Sequence, residues 1–324
     1  MKHLFLMNPR AGKYDRTQEM REKIRTAMQG REEPWQAAVT RYPGHATELA
    51  RAAAETGEAV RIYACGGDGT LNEAAAGAAG YANAAVTHYP MGSGNDFLRM
   101  FGPDACRFYD LSALLDAPQA PLDLIECNGR LALNVCSVGF DARIGLGAAD
   151  FKKLPLVSGS MAYKLSALRT IVRGIHLPYR VEIDGERLPG EEFTLLCVCN
   201  GRYYGGGFNP SPDAMPDDGR LNFVVVPAVS RLTVASLIGK YAKGGVGEIE
   251  GVILRQGREM HITCDRVSPI NLDGEELLDS ELSICVSAKK LNFFFPIGTH
   301  WDPARRGEYM KNGKNERNSA FAVC

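Results

Sequence analysis

Three turns in this chain carry the residue types that phosphate chemistry needs. The most informative is Gly66-Gly67-Asp68-Gly69-Thr70-Leu71-Asn72, which follows Cys65. Glycines at a strand-to-helix turn let a phosphate approach the backbone, and the N-terminal N–H groups of the next helix point at it. Asp68 can hold a magnesium ion or a ribose hydroxyl. The structural alternative is a tight turn closed by a capping Thr70. A second turn, Gly92-Ser93-Gly94-Asn95-Asp96-Phe97, has glycines for close approach and a Ser93 hydroxyl and N–H for phosphate. Asp96 there can cap a helix, orient a cation or orient Lys13. The third, Asn8-Pro9-Arg10-Ala11-Gly12-Lys13, lacks the G-x-x-x-x-G-K-[ST] pattern and so is not a Walker loop. Arg10 and Lys13 beside a helix start can still hold phosphates; a solvated basic loop is the alternative.

Two acidic segments lie far downstream. Asn271-Leu272-Asp273-Gly274-Glu275 sets two carboxylates about a glycine. It is either a hairpin turn with solvated acids or the source of a proton acceptor for phosphoryl transfer, a step that asks mostly for positioning and charge neutralisation. Asp213-Ala214-Met215-Pro216-Asp217-Asp218-Gly219-Arg220 brings three acids around a turn. With backbone carbonyls they can chelate a hard divalent ion, or they form a plain acidic loop.

The elements that must position these residues fall into two patterns. Strands are expected at His3–Met7, Trp35–Thr40, 60–65 and Ala84–Tyr89, with helices at Thr17–Met28 and Gly44–Thr56 and another starting at Glu73 and running to Ala79. Strands alternating with helices imply a parallel, doubly wound sheet, in which ligands sit beyond the carboxyl ends of the strands. From about residue 122 the pattern becomes antiparallel β. Asn128-Gly129 and Asp184-Gly185 read as hairpin turns, between Leu122–Glu126 and Leu131–Ser137 in the first case and after Arg180–Ile183 in the second. Further strands are expected at Phe193–Cys199, Leu221–Val226, Val252–Arg255, Glu259–Cys264 and Glu281–Ser287, with inserted helices at Ser160–Gly174 and Leu232–Lys243. The domain reading is therefore 1–121 as an α/β domain, which the resemblance described below makes nucleotide-binding, 122–290 as a β-rich domain, and 291–324 returning to the first, with a polar tail over Lys311–Ser319.

The 324 residues are 45% hydrophobic and 23% charged, an ordinary globular balance. A net charge of -1 gives no argument for nucleic-acid binding. Nine cysteines without a C-x-x-C pair fit reduced cytosolic thiols, and Cys197 and Cys199, on one strand face, read as small buried hydrophobes. Met1–Asn8 is too short for a signal h-region, and no apolar run approaches the ~20 residues that span a bilayer. The expectation is a cytoplasmic protein, at most peripheral on the inner face of the membrane.

Taken together these residues resemble the diacylglycerol kinase catalytic-domain family, particularly its bacterial soluble lipid kinases. Gly66–Glu73 matches the family's nucleotide motif, Asn8-Pro9 and Gly12 its first loop, and Gly92–Phe97 its G-T-x-N-D-F-A turn with Ser93 for Thr and Leu98 for Ala. Asp273-Gly274-Glu275 matches its D-G-E motif and Asp218-Gly219 its magnesium turn. The resemblance implies a phosphofructokinase-like α/β domain followed by a β-sandwich, with the active site between them. It implies ATP held by Asn8, Pro9, Arg10, Gly12, Lys13, Thr40, Gly66, Gly67, Asp68, Gly69, Thr70, Leu71, Asn72, Ser93, Asn95 and Asp96. It implies Glu275, with Asp273 beside it, as proton acceptor for a lipid hydroxyl, and Asp68 and Asp96 positioning catalytic Mg2+. A structural Mg2+ would sit on the Asp218 side chain and the carbonyls of Met215 and Arg220.

The implied substrate is a lipid met at a membrane surface, diacylglycerol first, giving phosphatidic acid. Within Phe151–Pro178, Lys152, Lys153, Lys164, Arg169 and Arg173 accompany an apolar stripe of Met161, Leu165, Leu168 and Val172. That stripe is either an interfacial face or a helix packed on the β domain. A homodimer is the default oligomer for such an enzyme. Two rivals share the scaffold: an NAD kinase, which has the G-G-D-G-T motif but not the later two, and a catalytically silent lipid- or nucleotide-binding protein, which would be free to lose one of the acids kept here.

Overall fold

The computed structural model describes residues 1–144, 147, 166, 169–170, 176–230, 233–234, 239–241 and 243–299. The interfacial stripe of Phe151–Pro178 lies outside the described residues apart from Arg169, Thr170 and residues 166 and 176–178, as do most of helix 232–243 and the tail 311–319. The chain divides into two units, Met1–Leu122 with Ala288 onward, and Asp123–Ser287.

The first unit runs β1 (Lys2–Met7), α1 (Thr17–Ala27), β2 (Trp35–Val39), α2 (His45–Glu55), β3 (Val60–Gly66), α3 (Asp68–Ala78), β4 (Ala84–Pro90), 3-10 turns over Phe97–Tyr109, α4 (Leu111–Leu115) and β5 (Gln119–Leu122). The second runs β6 (Ile125–Cys127), β7 (Arg130–Ala132), β8 (Val135–Gly139), β9 (Leu177–Pro178), β10 (Arg180–Ile183), β11 (Glu186–Arg187), β12 (Glu192–Cys199), β13 (Leu221–Pro227), β14 (Ile253–Gly257), β15 (Glu259–Leu272) and β16 (Glu275–Val286). The chain then returns to the first unit as β17 (Leu291–Phe294).

The first sheet has the order β2-β1-β3-β4-β17-β5, parallel except where β5 pairs with β17. Its inner strands β1, β3 and β4 are apolar runs buried on both faces, as parallel strands under helices must be. Tyr63 stacks on Phe5 with ring centroids 4.3 Å apart and meets Phe294 edge-on at 5.1 Å. Small residues bring α2 against α3: a Cβ on Gly77 would stand 2.4 Å from the Thr47 carbonyl oxygen. In the register Met7 pairs with both Val39 and Cys65, so Thr40, Asn8 and Gly66 leave the sheet at one level.

The second unit is antiparallel throughout, with the path β14-β13-β12-β8-β15-β16-β6-β7 and β9, β10 and β11 at its sides. Alternation along its strands feeds two cores. Cys136, Val138, Leu196 and Val198 pack on one side, and Val135, Leu195, Cys197 and Cys199 on the other. Cys197 and Cys199 do share a face, with sulfurs 3.5 Å apart and both side chains buried. Asn128-Gly129 and Asp184-Gly185 both have two positive-φ residues, the type I′ signature.

Three local expectations change. Helix α3 begins at Asp68, not Glu73, so the glycine turn is shorter and Asp68 belongs to the first helical turn. The strands expected at Glu259–Cys264 and Glu281–Ser287 are the far ends of two long strands meeting at Asp273-Gly274. Charged residues and Pro269 inside β15, with a register shift between Thr263 and Ser268, hide their length in sequence. Leu131–Ser137 is broken into β7 and β8, because the backbone N–H groups of 133–135 turn to a side chain instead of a ladder.

Candidate nucleotide and phosphoryl-transfer residues

In the first unit the three turns leave the carboxyl ends of β1, β3 and β4 and lock together. The Asn8 side-chain amide donates to the Thr70 hydroxyl at 2.9 Å, and the Arg10 N–H donates to the Asn8 Oδ1 at 2.9 Å. Thr70 is therefore a tie between turns and not the cap of α3, whose N-cap is Gly67 with no side-chain hydrogen bond. A helix end left uncapped keeps N–H groups for an anion. The Gly66 carbonyl accepts the N–H groups of Met91 at 2.7 Å and Gly92 at 3.1 Å, and the His88 Nε2–H at 3.0 Å. Burial lowers the His88 pKa to about 4, so the ring is neutral at pH 7 and donates from Nε2.

Glycine is required at these contacts. A Cβ on Gly92 would lie 2.5 Å from the Gly67 Cα, one on Gly66 2.2 Å from the Thr70 hydroxyl, and one on Gly12 2.9 Å from the Met91 carbonyl. Each is closer than a side-chain carbon can sit. The glycines thus bring three backbone segments together as well as leaving room for phosphate.

Asp68 joins its own turn, Gly66–Asn72, to the turn Gly92–Phe97. Its Oδ1 accepts the Asp96 N–H at 2.5 Å, and the N–H groups of Asn95 and Phe97 also stabilise its carboxylate. Burial nevertheless raises its pKa. Asp96 is buried and pairs with Arg99, Nε to Oδ1 at 2.9 Å, while Arg99 Nη2 donates to the Gly94 carbonyl at 3.2 Å. Asp96 heads the 3-10 turns without capping them by its side chain, and the cation paired with it is Arg99, while Lys13 is exposed. A Cβ on Gly94 would meet Asp68 Oδ2 at 2.7 Å and Asp96 Oδ2 at 3.6 Å, so both carboxylates face one notch.

The remaining residues of the set divide by exposure. Arg10, Gly69 and Ser93 are exposed, Pro9 is partly exposed, and Leu71, Asn72 and Asn95 are buried. Asn95, at φ 49°, donates its amide to the Gly92 carbonyl at 3.0 Å and shapes the turn. Thr40 is buried and bonds the Met7 carbonyl through its N–H at 2.9 Å and its hydroxyl at 3.4 Å.

In the second unit Asp273 and Glu275 separate in character. Asp273, at φ 49°, heads a tight turn with Gly274. Its Oδ1 accepts the Val135 N–H at 2.7 Å, and its Oδ2 accepts those of Leu133 and Asn134, both at 2.8 Å. The Gly274 N–H goes to the Asn271 Oδ1 at 2.7 Å. Asp273 is thereby a clamp, whereas Glu275 is exposed, with the Arg130 guanidinium 3.9 Å away.

The acids of 213–220 do not converge: no cluster of three His, Cys, Asp or Glu side chains suited to a metal forms among the described residues. Asp218 Oδ1 accepts the Arg220 N–H at 3.0 Å, Met215 is buried, and Asp213 and Asp217 are exposed. Reading the sequence missed what anchors this loop. Asp123, buried, accepts the Gly219 N–H through Oδ2 at 2.7 Å and donates its own N–H to the Pro216 carbonyl at 2.5 Å. His88 and Arg99 were missed too. Their signals were a histidine inside an apolar strand just before a glycine turn, and a cation three residues after Asp96.

Comparison with known proteins agrees with this geometry. Residues 2–127 match the diacylglycerol kinase catalytic domain, and residues 134–295 match the YegS C-terminal NAD kinase beta sandwich-like domain. A Pseudomonas aeruginosa protein named "Probable lipid kinase YegS-like" is 33% identical over 290 residues, covering 86% of this chain and 91% of its own. A Pseudomonas fluorescens protein of the same name is 32% identical, covering 86% and 92%. The crystal structure of a diacylglycerol kinase from Bacillus anthracis superposes with a TM-score of 0.69 at 23% identity, over 92% of this chain and 98% of that one. The fold is thus a parallel α/β unit followed by an antiparallel β-sandwich-like one. The chain belongs to the diacylglycerol kinase catalytic-domain family, in its YegS-like form.

Proposed function

We propose that this protein is an ATP-dependent lipid kinase that passes the γ-phosphoryl group to a lipid hydroxyl, with diacylglycerol as the simplest acceptor. The observation that carries this reading is the locking of three glycine-bearing turns at the carboxyl ends of β1, β3 and β4. ATP lies against Asn8, Pro9, Arg10, Gly12, Lys13, Thr40, Gly66–Asn72, Ser93, Asn95 and Asp96. The uncapped start of α3 faces its phosphates, and Arg10 and Lys13 add positive charge. Magnesium, when bound, neutralises charge on the phosphates, and the Asp68–Asp96 notch suits it. A structural magnesium would use Asp218 with the Met215 and Arg220 carbonyls.

Glu275 takes the proton of the lipid hydroxyl as its oxygen bonds to the γ-phosphorus and the bond to ADP breaks. An exposed carboxylate on a rigid turn is suited to that task, and the Asp273 clamp keeps the turn rigid. The lipid is met at a membrane surface, as a peripheral contact; no helix among the described residues is long and apolar enough to cross a membrane.

Purified protein offered diacylglycerol in mixed micelles and, separately, NAD separates this reading from an NAD kinase. Labelled lipid and unlabelled NAD is the expected outcome; the reverse would overturn it.

A further inference from the structure

Arg130 reaches Glu275 from a segment tied at both ends to the hairpin that carries Glu275. Asn128, two residues before it, is fastened to β16. Its N–H donates to the Ser283 carbonyl at 3.1 Å and its Oδ1 accepts the Ser283 N–H at 2.8 Å. Its Nδ2 donates to the Glu281 carbonyl at 2.8 Å and to Asp279 Oδ2 at 3.0 Å. Further on, the N–H groups of Leu133, Asn134 and Val135 go to Asp273. Between these ties the Arg130 guanidinium lies 3.9 Å from Glu275 Oε2, and both side chains are more than half exposed.

Stability does not account for this pair. An exposed ion pair stabilises little, and neither tie uses the Arg130 side chain. The pair instead brings positive charge to an acidic strand. β16 holds Glu275, Glu276, Asp279 and Glu281, and no lysine or arginine over its whole length. The three glutamates are exposed. A phosphate brought to such a strand is repelled unless a cation from elsewhere offsets the acids. Among the described residues, Arg130 is the one cation in an ion pair with Glu275.

The reaction moves charge past this point. The acceptor oxygen bonds to the γ-phosphorus, the bond to ADP breaks, and the hydroxyl proton passes to Glu275, which becomes neutral. The new phosphomonoester carries about −1.5 to −2 charges. During the transfer the acceptor oxygen lies about 2.6–3.2 Å from the Glu275 carboxylate, and the phosphorus is bonded to that oxygen. A guanidinium already 3.9 Å from the carboxylate meets the phosphoryl oxygens by turning its side chain. The planar fork of arginine bonds two phosphate oxygens at once.

We propose that Arg130 is a catalytic residue that exchanges one anion for another. It is the counterion of Glu275 before transfer, and it passes to the phosphoryl group once Glu275 has taken the proton, holding the phosphorylated lipid. The inference rests on the lipid-kinase reading and adds a phosphate contact to it.

The test uses the full chain with Arg130→Gln and Arg130→Lys, dioctanoylglycerol as acceptor and dioctanoyl phosphatidic acid as product. Kinetics give kcat and KM, and equilibrium binding gives a Kd for each lipid. Arg130→Gln should melt with wild type and lower kcat about tenfold or more, with the KM for dioctanoylglycerol within about twofold. It should weaken dioctanoyl phosphatidic acid about tenfold and leave the Kd of dioctanoylglycerol unchanged. Arg130→Lys, a point charge without the fork, should fall between. An ion pair with no further role would leave kcat and both Kd values as in wild type. A residue that only steadies Glu275 would lower kcat and leave the phosphatidic acid Kd intact. Either result overturns the proposal, as does an equal loss of both lipids. If wild type phosphorylates no lipid, the kinase reading fails, while the two Kd values in Arg130→Gln still judge the phosphate contact: selective loss of phosphatidic acid supports it and retention rejects it.

Discussion

The Asp68 carboxylate accepts the backbone N–H of Asp96 at 2.5 Å, joining the glycine turn after β3 to the one after β4. Asp273 does the same in the second unit, where its carboxylate gathers the N–H groups of Leu133, Asn134 and Val135. Two acids that a motif would mark as chemical are thus also the fasteners of their turns. The chemistry of each site depends on that fastening, since a base or a phosphate cradle that shifts by 1 Å loses much of its effect.

The D-G-E turn accordingly splits by substitution. Asp273→Ala removes a carboxylate that accepts three backbone bonds and should destabilise the second unit by about 2–4 kcal/mol. Glu275→Gln, at an exposed position, should change stability by less than about 0.5 kcal/mol yet lower turnover by about 100-fold or more. Thermal melts and kinetics on both variants check this. Equal melting temperatures for Asp273→Ala and wild type would count against the clamp.

Gly92→Ala places a Cβ 2.5 Å from the Gly67 Cα, where only backbone can yield. Overpacking of this kind costs about 1–3 kcal/mol. The cost falls on the cradle, so ATP affinity should drop about tenfold or more in a titration with a fluorescent nucleotide. Gly69→Ala, where a Cβ would meet nothing within 4 Å, is the matched control and should retain the fold. Comparable affinity in Gly92→Ala and wild type would refute the packing role.

His88 gives the cradle a pH dependence. Burial lowers its folded pKa to about 4, below the ordinary 6.5. Above pH 6.5 both folded and unfolded forms are neutral and its contribution to stability is complete. As pH falls from 6.5 towards 4 the unfolded chain binds the proton first, so stability is lost across that window, by up to about 3 kcal/mol. His3, also lowered to about 4 by burial, acts in the same direction. His88→Gln keeps an amide N–H for the Gly66 carbonyl and removes the titration. Its melting temperature should fall less than that of wild type between pH 6.5 and 4; parallel curves would dismiss the assignment.

Much of this was legible because local chemistry and global fold agree. The apolar runs at His3–Met7, 60–65 and Ala84–Tyr89 are parallel strands, and the turns after them lie together at one sheet end. Asn128-Gly129 and Asp184-Gly185 require positive φ and formed hairpins. What sequence hid were long-range polar ties. Nothing beside Asp273 announces that the N–H groups of 133–135 come to it, because that pairing depends on β8 lying next to β15. Asp123 similarly reaches Gly219 across the second unit. The start of α3 was misplaced because Gly67 and Gly69 read as turn, whereas in the fold Gly67 is the N-cap and Gly69 is helical.

The most direct measurement is of phosphoryl transfer itself. Purified protein is incubated with radiolabelled ATP and a total lipid extract, beside Glu275→Gln, and the product is identified by mass spectrometry. The account predicts label in a phosphorylated lipid with wild type and its loss with Glu275→Gln, while both proteins bind ATP equally. Label in a soluble metabolite with none in lipid, or undiminished lipid labelling by Glu275→Gln, would contradict it.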